Sequence, residues 1–507
     1  MSRAVSAIRI PRNGGDRSWY PPDVAAEHPH YRFARGDRDP IEFVYASVTF
    51  LVPAIASLAS RMGSVDLAYH VRAGNMILHS GSIPTTDSFT FTVLGAAWPN
   101  HQWAAQVILA LFHRAGSWAT LAALRSALNG LSFAVLYLAC RASGVRCRTA
   151  SLLTIGGYVL ALPALALRPQ LFAVPLIALT LWALAGRHDK PSRLWAIPPI
   201  AIACASLHGS FVLVIVLVGF AWLEDVTRRL PGSRRVLLVG LLAAAGTLVN
   251  PFGVSIWTYA YQLSRNSVVR NNVTEWAPVT ITNIIGLSML VSALAVIAAF
   301  VWRRRFVSAI PVLQLAFFFV LAMVTQRAVL WWAIVAPVTV AALWGRSTRA
   351  QPPSSAKPAK QGPLAPAVVV IGSLITILVV MLPWWTGSSF QRRLDLAPAG
   401  LTAAIQTDLA PGSRLLAYQA WGSWFEYAIP ADPVFVDTRI DIIPLNIWKD
   451  YGKVAFARPG WRDVLERWHV DAIVADTTTW TSVAELRKDP AWRVAYEDKD
   501  GVLFVRA

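Results

Sequence analysis

Apolar runs separated by short polar turns fill the first three-quarters of the chain, a pattern that predicts helices in a bilayer rather than a soluble core. The runs fall at 41–61, 118–140, 149–166, 170–186, 194–208, 210–226, 236–250, 282–302, 307–325, 328–344 and 365–385. By the length a helix needs to cross hydrocarbon, they predict about eleven spans. Trp103 to Phe112 is a further apolar stretch, too short to cross alone. It extends the second helix or lies at the interface.

Basic residues punctuate every second turn: Arg141/Arg146/Arg148, Arg187/Lys190/Arg193, Arg228/Arg229/Arg234/Arg235, Arg303/Arg304/Arg305 and Arg346/Arg349/Lys357/Lys360. An odd span count with the N-terminus inside puts all of them on the cytoplasmic face, with the Arg-rich segment 1–40, as the positive-inside rule requires. The expected organisation is a disordered basic tail at 1–40, a transmembrane domain at 41–386 and an extracytoplasmic domain at 390–507. An external loop at 62–103 and a Pro-, Ala- and Ser-rich cytoplasmic linker at 346–366 interrupt the transmembrane part.

The opposite turns are poor in Lys and Arg but carry unusual residues. They are Asp66–Trp103, Arg168-Pro169-Gln170, His208-Gly209, Asn250 through Glu275-Trp276, and Gln326-Arg327. Ionisable groups beside a bilayer are costly and usually functional. Singly, each has a plainer reading: His208 as a helix-end residue, Arg168 as an interfacial anchor, Asn250-Pro251 as a helix break. Their gathering on one face points to a site there.

From Phe390 the composition turns soluble. Strands are expected at Arg414–Tyr418, Val434–Val436 and Ala472–Ala475, and a hairpin at Val494–Tyr496 and Leu503–Val505 around Asp498-Lys499-Asp500-Gly501. With helices at Pro398–Leu409, Trp461–Trp468 and Val483–Lys488, this predicts a small α/β domain. Trp421 and the pair Asp437/Arg439 are its densest clusters: core packing and a structural ion pair, or a sugar-binding face.

Composition agrees with a polytopic membrane protein: 55 % hydrophobic, 15 % charged and 22 Trp, with a mean hydropathy of +0.47. The net charge of +18 does not indicate nucleic acid, because the basic residues are scattered through short loops. Cys140, Cys147 and Cys204 fit neither a zinc site nor a disulfide framework.

The order of features, with the strings DLAYHVRAGNMILHSGSIPTTDSFTFT, WPNHQW, RPQ, HGS, NPFG and WGSWFEYAIPADPVFVDTRID, resembles the GT-C superfamily of membrane glycosyltransferases. These take sugars from polyprenyl-phosphate carriers; protein O-mannosyltransferases and aminoarabinose and arabinosyltransferases belong to it. The resemblance covers most of the chain and is nearest to a bacterial branch. There it implies an Asp, a nearby His and Arg, a Pro-x-x-Asp turn and a Trp-x-x-His segment: Asp66, His70, Arg72, Pro84/Asp87 and Trp98/His101. Two departures stand out. No adjacent acidic pair follows the first helix, and no Trp-Trp-Asp-Tyr-Gly string is present. Neither sub-family's acceptor is therefore implied.

The resemblance implies transfer from a polyprenyl-phosphate sugar to a hydroxyl of a glycan, lipid or protein, at the outer face of a plasma membrane. Such transfer needs a base, cations for the departing phosphate and an apolar groove for the lipid. Asp66 is the expected base, or else an N-cap. His70, at i+4, could share its face, whereas Arg72 points elsewhere on a regular helix. Asp87 is a second acid, or an Asx-turn. Arg168 and Arg327, helped by His101 and Arg72, are the expected phosphate ligands, since the guanidinium fork suits phosphate oxygens. Trp98, His208, Glu275 and Trp421 are candidate acceptor contacts. No carboxylate cluster requires a metal, although a divalent ion remains compatible, and no other cofactor is expected. A transporter or flippase, with Arg125 in the second span, and a non-catalytic assembly protein are the competing classes.

Overall fold

The computed structural model describes residues 40–302, 308–349, 364–381 and 393–507. The expected basic tail, but for its last residue, and the Pro-rich part of the linker lie outside the described residues. Every apolar run forms helix: α1 Pro40–Ala59, α2 Leu67–Ser80, α3 Trp103–Ala142, α4 Cys147–Ala161, α5 Pro169–Ala185, α6 Ile197–Leu207, α7 Phe211–Thr227, α8 Ser233–Gly246, α9 Ser255–Arg265, α10 Ser267–Asn272, α11 Ile284–Trp302, α12 Ala309–Val324, α13 Val329–Arg349 and α14 Leu364–Met381. Of these, α2, α9 and α10 belong to the turns expected outside.

Four segments among the described residues are long and apolar enough to cross a membrane: Ile41–Ala59, Trp103–Ala142, Ile284–Trp302 and Gln326–Gly345. Pro169–Ala185 and Ala309–Val324 are shorter apolar helices. Helix α6, with 11 residues, rises only about 17 Å at 1.5 Å per residue, well short of a bilayer's hydrocarbon. The count of eleven crossings therefore rests on the charge alternation alone. Helix α3 is broken at Gly116 and Ser117, whose backbones are non-helical. The apolar stretch from Trp103 is thus a separate leg, joined at a kink to the run expected at 118–140.

The segment Gln326–Gly345 is 89 % buried and Ile284–Trp302 only 22 %, so α13 is central and α11 peripheral. Arg125, which a transporter reading would place on a transport path, has a local use. It donates to the carbonyls of Ser57, Ser60 and Arg61, closing the open C-terminal end of α1. Helix α2 lies tight on α3: a Cβ on Gly74 would sit 2.0 Å from the Gln106 carbonyl oxygen. Only glycine permits that approach.

The C-terminal domain is a four-stranded sheet: β1 Leu415–Ala417, β2 Ala472–Ala475, β3 Trp492–Glu497 and β4 Val502–Arg506, in the order β1-β2-β4-β3. The β1–β2 pair is parallel and the others antiparallel. The hairpin turn forms as expected, Asp498 Oδ1 accepting from the backbone N–H of Asp500 at 2.9 Å. Around the sheet lie α15 Ala399–Asp408, α16 Gln419–Ala428, α17 Leu445–Ala455, α18 Trp461–Arg467 and α19 Val483–Leu486. Helices α16 and α17 were not expected, and Val434–Val436, expected as a strand, makes only isolated bridges.

Those bridges matter for the site. Val434 pairs with Leu415 on one side and with Thr90 of the loop on the other. The loop thereby continues the edge of the sheet, and Thr92 Oγ1 donates to the Phe435 carbonyl at 2.6 Å. Helix α16 packs on α2, where Ser423 Oγ accepts from the Tyr69 N–H at 2.9 Å. Loop 62–103 and the C-terminal domain are one packed unit.

Candidate active site

Asp66 stands at the N-terminus of α2, immediately after the turn that follows α1, and its side chain caps nothing. Its Oδ2 lies 3.6 Å from Arg168 Nε. Arg168 is held extended before Pro169, as the pre-proline position demands. Its other arm donates from Nη1 to Glu275 Oε1. Arg168 Nε is buried and makes no hydrogen bond among the described residues, the Asp66 contact being too long for one. Burial alone would lower the Arg168 pKa, but Asp66 and Glu275 raise it above the ordinary value.

Arg327 enters from a turn of 3₁₀ helix, Gln326–Ala328. Its Nε donates to Gln170 Oε1 at 2.7 Å, and Nη2 lies 3.2 Å from His208 Nε2. His208 Nδ1 accepts from the Ser210 backbone N–H at 3.1 Å and lies 2.9 Å from Ser210 Oγ. Arg168, Gln170, Glu275, Gln326 and Arg327 line a cavity of about 150 Å³, together with Gly63 and the apolar residues Leu160, Pro163, Ala164, Ala166, Ile285, Val329 and Leu330. The lining thus combines two guanidiniums and a carboxylate with apolar side chains.

The loop adds imidazoles. His70 is buried, its Nδ1 facing Gln106 Nε2 at 3.3 Å, and Gln106 is locked to Asn100 by two reciprocal amide bonds of 2.6 and 2.7 Å. Burial, then Arg168, holds His70 well below the usual imidazole range. His101 lies against Tyr259 of α9, the rings tilted by 43° with centroids 4.5 Å apart. Burial lowers its pKa to about 4, a hydrogen bond to the Pro99 carbonyl opposing and Arg327 assisting. Both imidazoles are therefore neutral at pH 7. Tyr259 in turn donates its hydroxyl proton to Asp441 Oδ2 at 2.8 Å.

A second cluster of acids and arginines is separate in its bonds. Arg439 donates to both Asp437 and Asp87. Asp87 also accepts from the Phe89 and Thr90 amides and from Thr90 Oγ1 at 2.7 Å. The guanidinium carbon lies 4.6 Å from the ring centres of both Phe89 and Trp98. Burial, then the Asp437 carboxylate, pushes Glu426 well above the carboxylate range. A neutral Glu426 leaves Asp87 and Asp437 to balance Arg439 and Arg72.

The structure thus brings together Asp66, Arg168, Glu275, Arg327, His208, His70 and His101. It places the other candidates elsewhere. Asp87 is buried in an Asx-turn and an ion pair, closed off from any acceptor. Arg72 donates to the carbonyls of Glu426 and Pro430 rather than facing the cavity. Trp98 walls the Arg439 cage, and Trp421 is 4 % exposed in the domain core, with no free face for a sugar. Asp437/Arg439 is the ion pair, not the sugar platform. His70 shares a helix with Asp66, but its ring goes to Gln106. Tyr259 and Asp441 had not been singled out; Asp441 sits in the quoted string ending DTRID, while Tyr259 carries no sequence signal. Among the described residues no three His, Cys, Asp or Glu side chains cluster as a metal site would require.

No family model and no curated protein matches the sequence. Solved structures do. The Archaeoglobus fulgidus oligosaccharyltransferase, tethered to an acceptor peptide, superposes with a TM-score of 0.51 at 13 % identity, over 85 % of this chain and 69 % of that one. ArnT from Cupriavidus metallidurans bound to undecaprenyl phosphate gives 0.50 at 13 % identity, over 92 % and 97 %. Apo ArnT gives 0.51 at 15 % identity with the same coverage. Both enzymes are of the GT-C superfamily, and the chain has their fold, as the resemblance implied.

Proposed function

We propose that the protein is a membrane glycosyltransferase that moves a sugar from a polyprenyl-phosphate carrier to an acceptor hydroxyl at the outer face of a plasma membrane, with inversion. The observation that carries this reading is the shared cavity of Arg168 and Arg327, lined by both guanidiniums and by apolar side chains. A lipid phosphate needs both surfaces at once. The two guanidiniums supply the charge that would otherwise call for a divalent ion. ArnT, of the same fold, is known bound to undecaprenyl phosphate.

Asp66 is the proposed base. Its carboxylate faces Arg168, and a bound phosphate competes for the same guanidinium and loosens the pair. The carboxylate then faces the acceptor proton, while the leaving phosphate stays on the arginines. Asp66→Asn keeps the size and removes the basicity. Since the side chain caps nothing, the fold should not notice. Transfer from labelled undecaprenyl-phosphosugars should fall on the order of a hundredfold to ten-thousandfold. Arg168→Lys and Arg327→Lys should weaken undecaprenyl phosphate binding despite the kept charge, because the fork is lost. Near-normal transfer by Asp66→Asn moves the base to Glu275 or elsewhere, and unchanged binding by both Lys variants removes the phosphate site.

A further inference from the structure

Resting on that reading, we infer that Asp441 and Tyr259 form a second polar subsite that holds a saccharide hydroxyl, of the donor sugar or of the acceptor, beyond the cationic end of the site. The two residues come from different parts of the chain, α9 and the C-terminal domain, and meet only in the fold. Asp441 lies two residues past Arg439, so the buried clamp on Asp87 fixes where its backbone stands.

A row of adjacent groups connects the subsite to the phosphate end. Arg327 faces His208; Gly209, the next residue, is 3.9 Å from His101 Nε2 at the position of a would-be Cβ; His101 lies against Tyr259; and Tyr259 bonds Asp441. Along that row the charge runs from guanidinium through neutral imidazole to phenol and carboxyl. A phosphate belongs at the first end and is repelled at the last. The last end offers what a sugar hydroxyl needs, a group that accepts its proton beside one that can give or take another. Asp441 and Tyr259 also keep part of their surface open, whereas Asp87 and Asp437 of the clamp keep none. Burial of Asp441, against the hydrogen bond from Tyr259, raises its pKa.

The test uses the full chain in nanodiscs. The probes are undecaprenyl phosphate, undecaprenol, and undecaprenyl phosphates carrying glucose, mannose or arabinose, read by native mass spectrometry with a thermal melt on each variant. Asp441→Asn and Tyr259→Phe should bind bare undecaprenyl phosphate within about threefold of the parent. If the hydroxyl is the donor's, both should lose about tenfold to a hundredfold of the preference for a glycosylated carrier. If it is the acceptor's, carrier binding stays intact, and transfer in membranes of the producing cells falls by the same factor, with Asp441→Glu recovering part of it. Equal weakening toward every probe, or no change in binding and transfer, leaves Asp441 as a structural tether and overturns the proposal. Failure of the parent to prefer undecaprenyl phosphate to undecaprenol would instead refute the carrier reading.

Discussion

Two Asp–Arg constellations stand in this molecule, and they are built differently. In the clamp, Arg439, Asp87 and Asp437 have side-chain exposures of 2, 0 and 0 %. Backbone and hydroxyl donors close the carboxylate oxygens further. In the site, Arg168, Asp66 and Glu275 are 15, 23 and 40 % exposed. Each constellation leaves one buried guanidinium nitrogen without a hydrogen bond among the described residues, Nε of Arg168 and Nη1 of Arg439, but around Arg168 the Asp66 contact is too long for a hydrogen bond. Residue type does not separate the two constellations; exposure does.

The comparison breaks most visibly at the clamp. Arg439→Met should strand two buried carboxylates and cost about 3–5 kcal/mol of stability, read as a large fall in melting temperature. A loss under about 1 kcal/mol would mean that the cluster tolerates dissolution and is no clamp.

A somewhat smaller effect should come from pH, because the site, unlike the clamp, carries imidazoles held neutral. Unfolded, His101 takes a proton near its ordinary pKa of 6.5; folded, it resists until about 4. Between those values the unfolded chain binds more protons, so stability falls as the pH drops through the window and levels off below it. The loss is on the order of 3 kcal/mol, and His70, also held low, steepens it. Melts from pH 7 to 4 on the parent and on His101→Gln should show a shallower slope in the variant; equal slopes would remove His101 from the account.

The smallest stability effect should be at the site's own arginine. Arg168→Ala should shift stability by no more than about 1 kcal/mol, since its pairs are part-exposed and incomplete, while undecaprenyl phosphate binding falls at least tenfold. A melt loss as large as that of Arg439→Met would make Arg168 a second clamp.

Much of the site was legible because charge alternation sorts turns by face. Asp66, Arg168, His208, Glu275 and Arg327 lie in turns that the alternation puts on one side, and they do meet. The rest depended on contacts that no local pattern encodes. Asp87, Asp437 and Asp441 are all acids in polar strings, and only the fold shows that the first two turn inward on Arg439 while the third faces Tyr259. Helix α16 was hidden by Trp, Gly and Ser in a short run. Its helical mark is the i+4 pair Trp421 and Phe425, ring centroids 6.5 Å apart, which is equally a core pattern. Helix α17 was readable from Ile447, Tyr451 and Val454 on one face.

The bond from Arg439 to Asp87 joins residues 352 apart in sequence. During synthesis at roughly 5–20 residues per second, loop 62–103 emerges on the order of half a minute before its partner. Through that interval Asp87 has no guanidinium, Thr90 has no strand to extend and Asp441 does not yet exist. The helices can pack early, but the clamp closes only when the final quarter of the chain has folded against a loop made near the beginning. An interrupted chain of this protein would be a helical bundle whose loop 62–103 lacks the partner that fixes it.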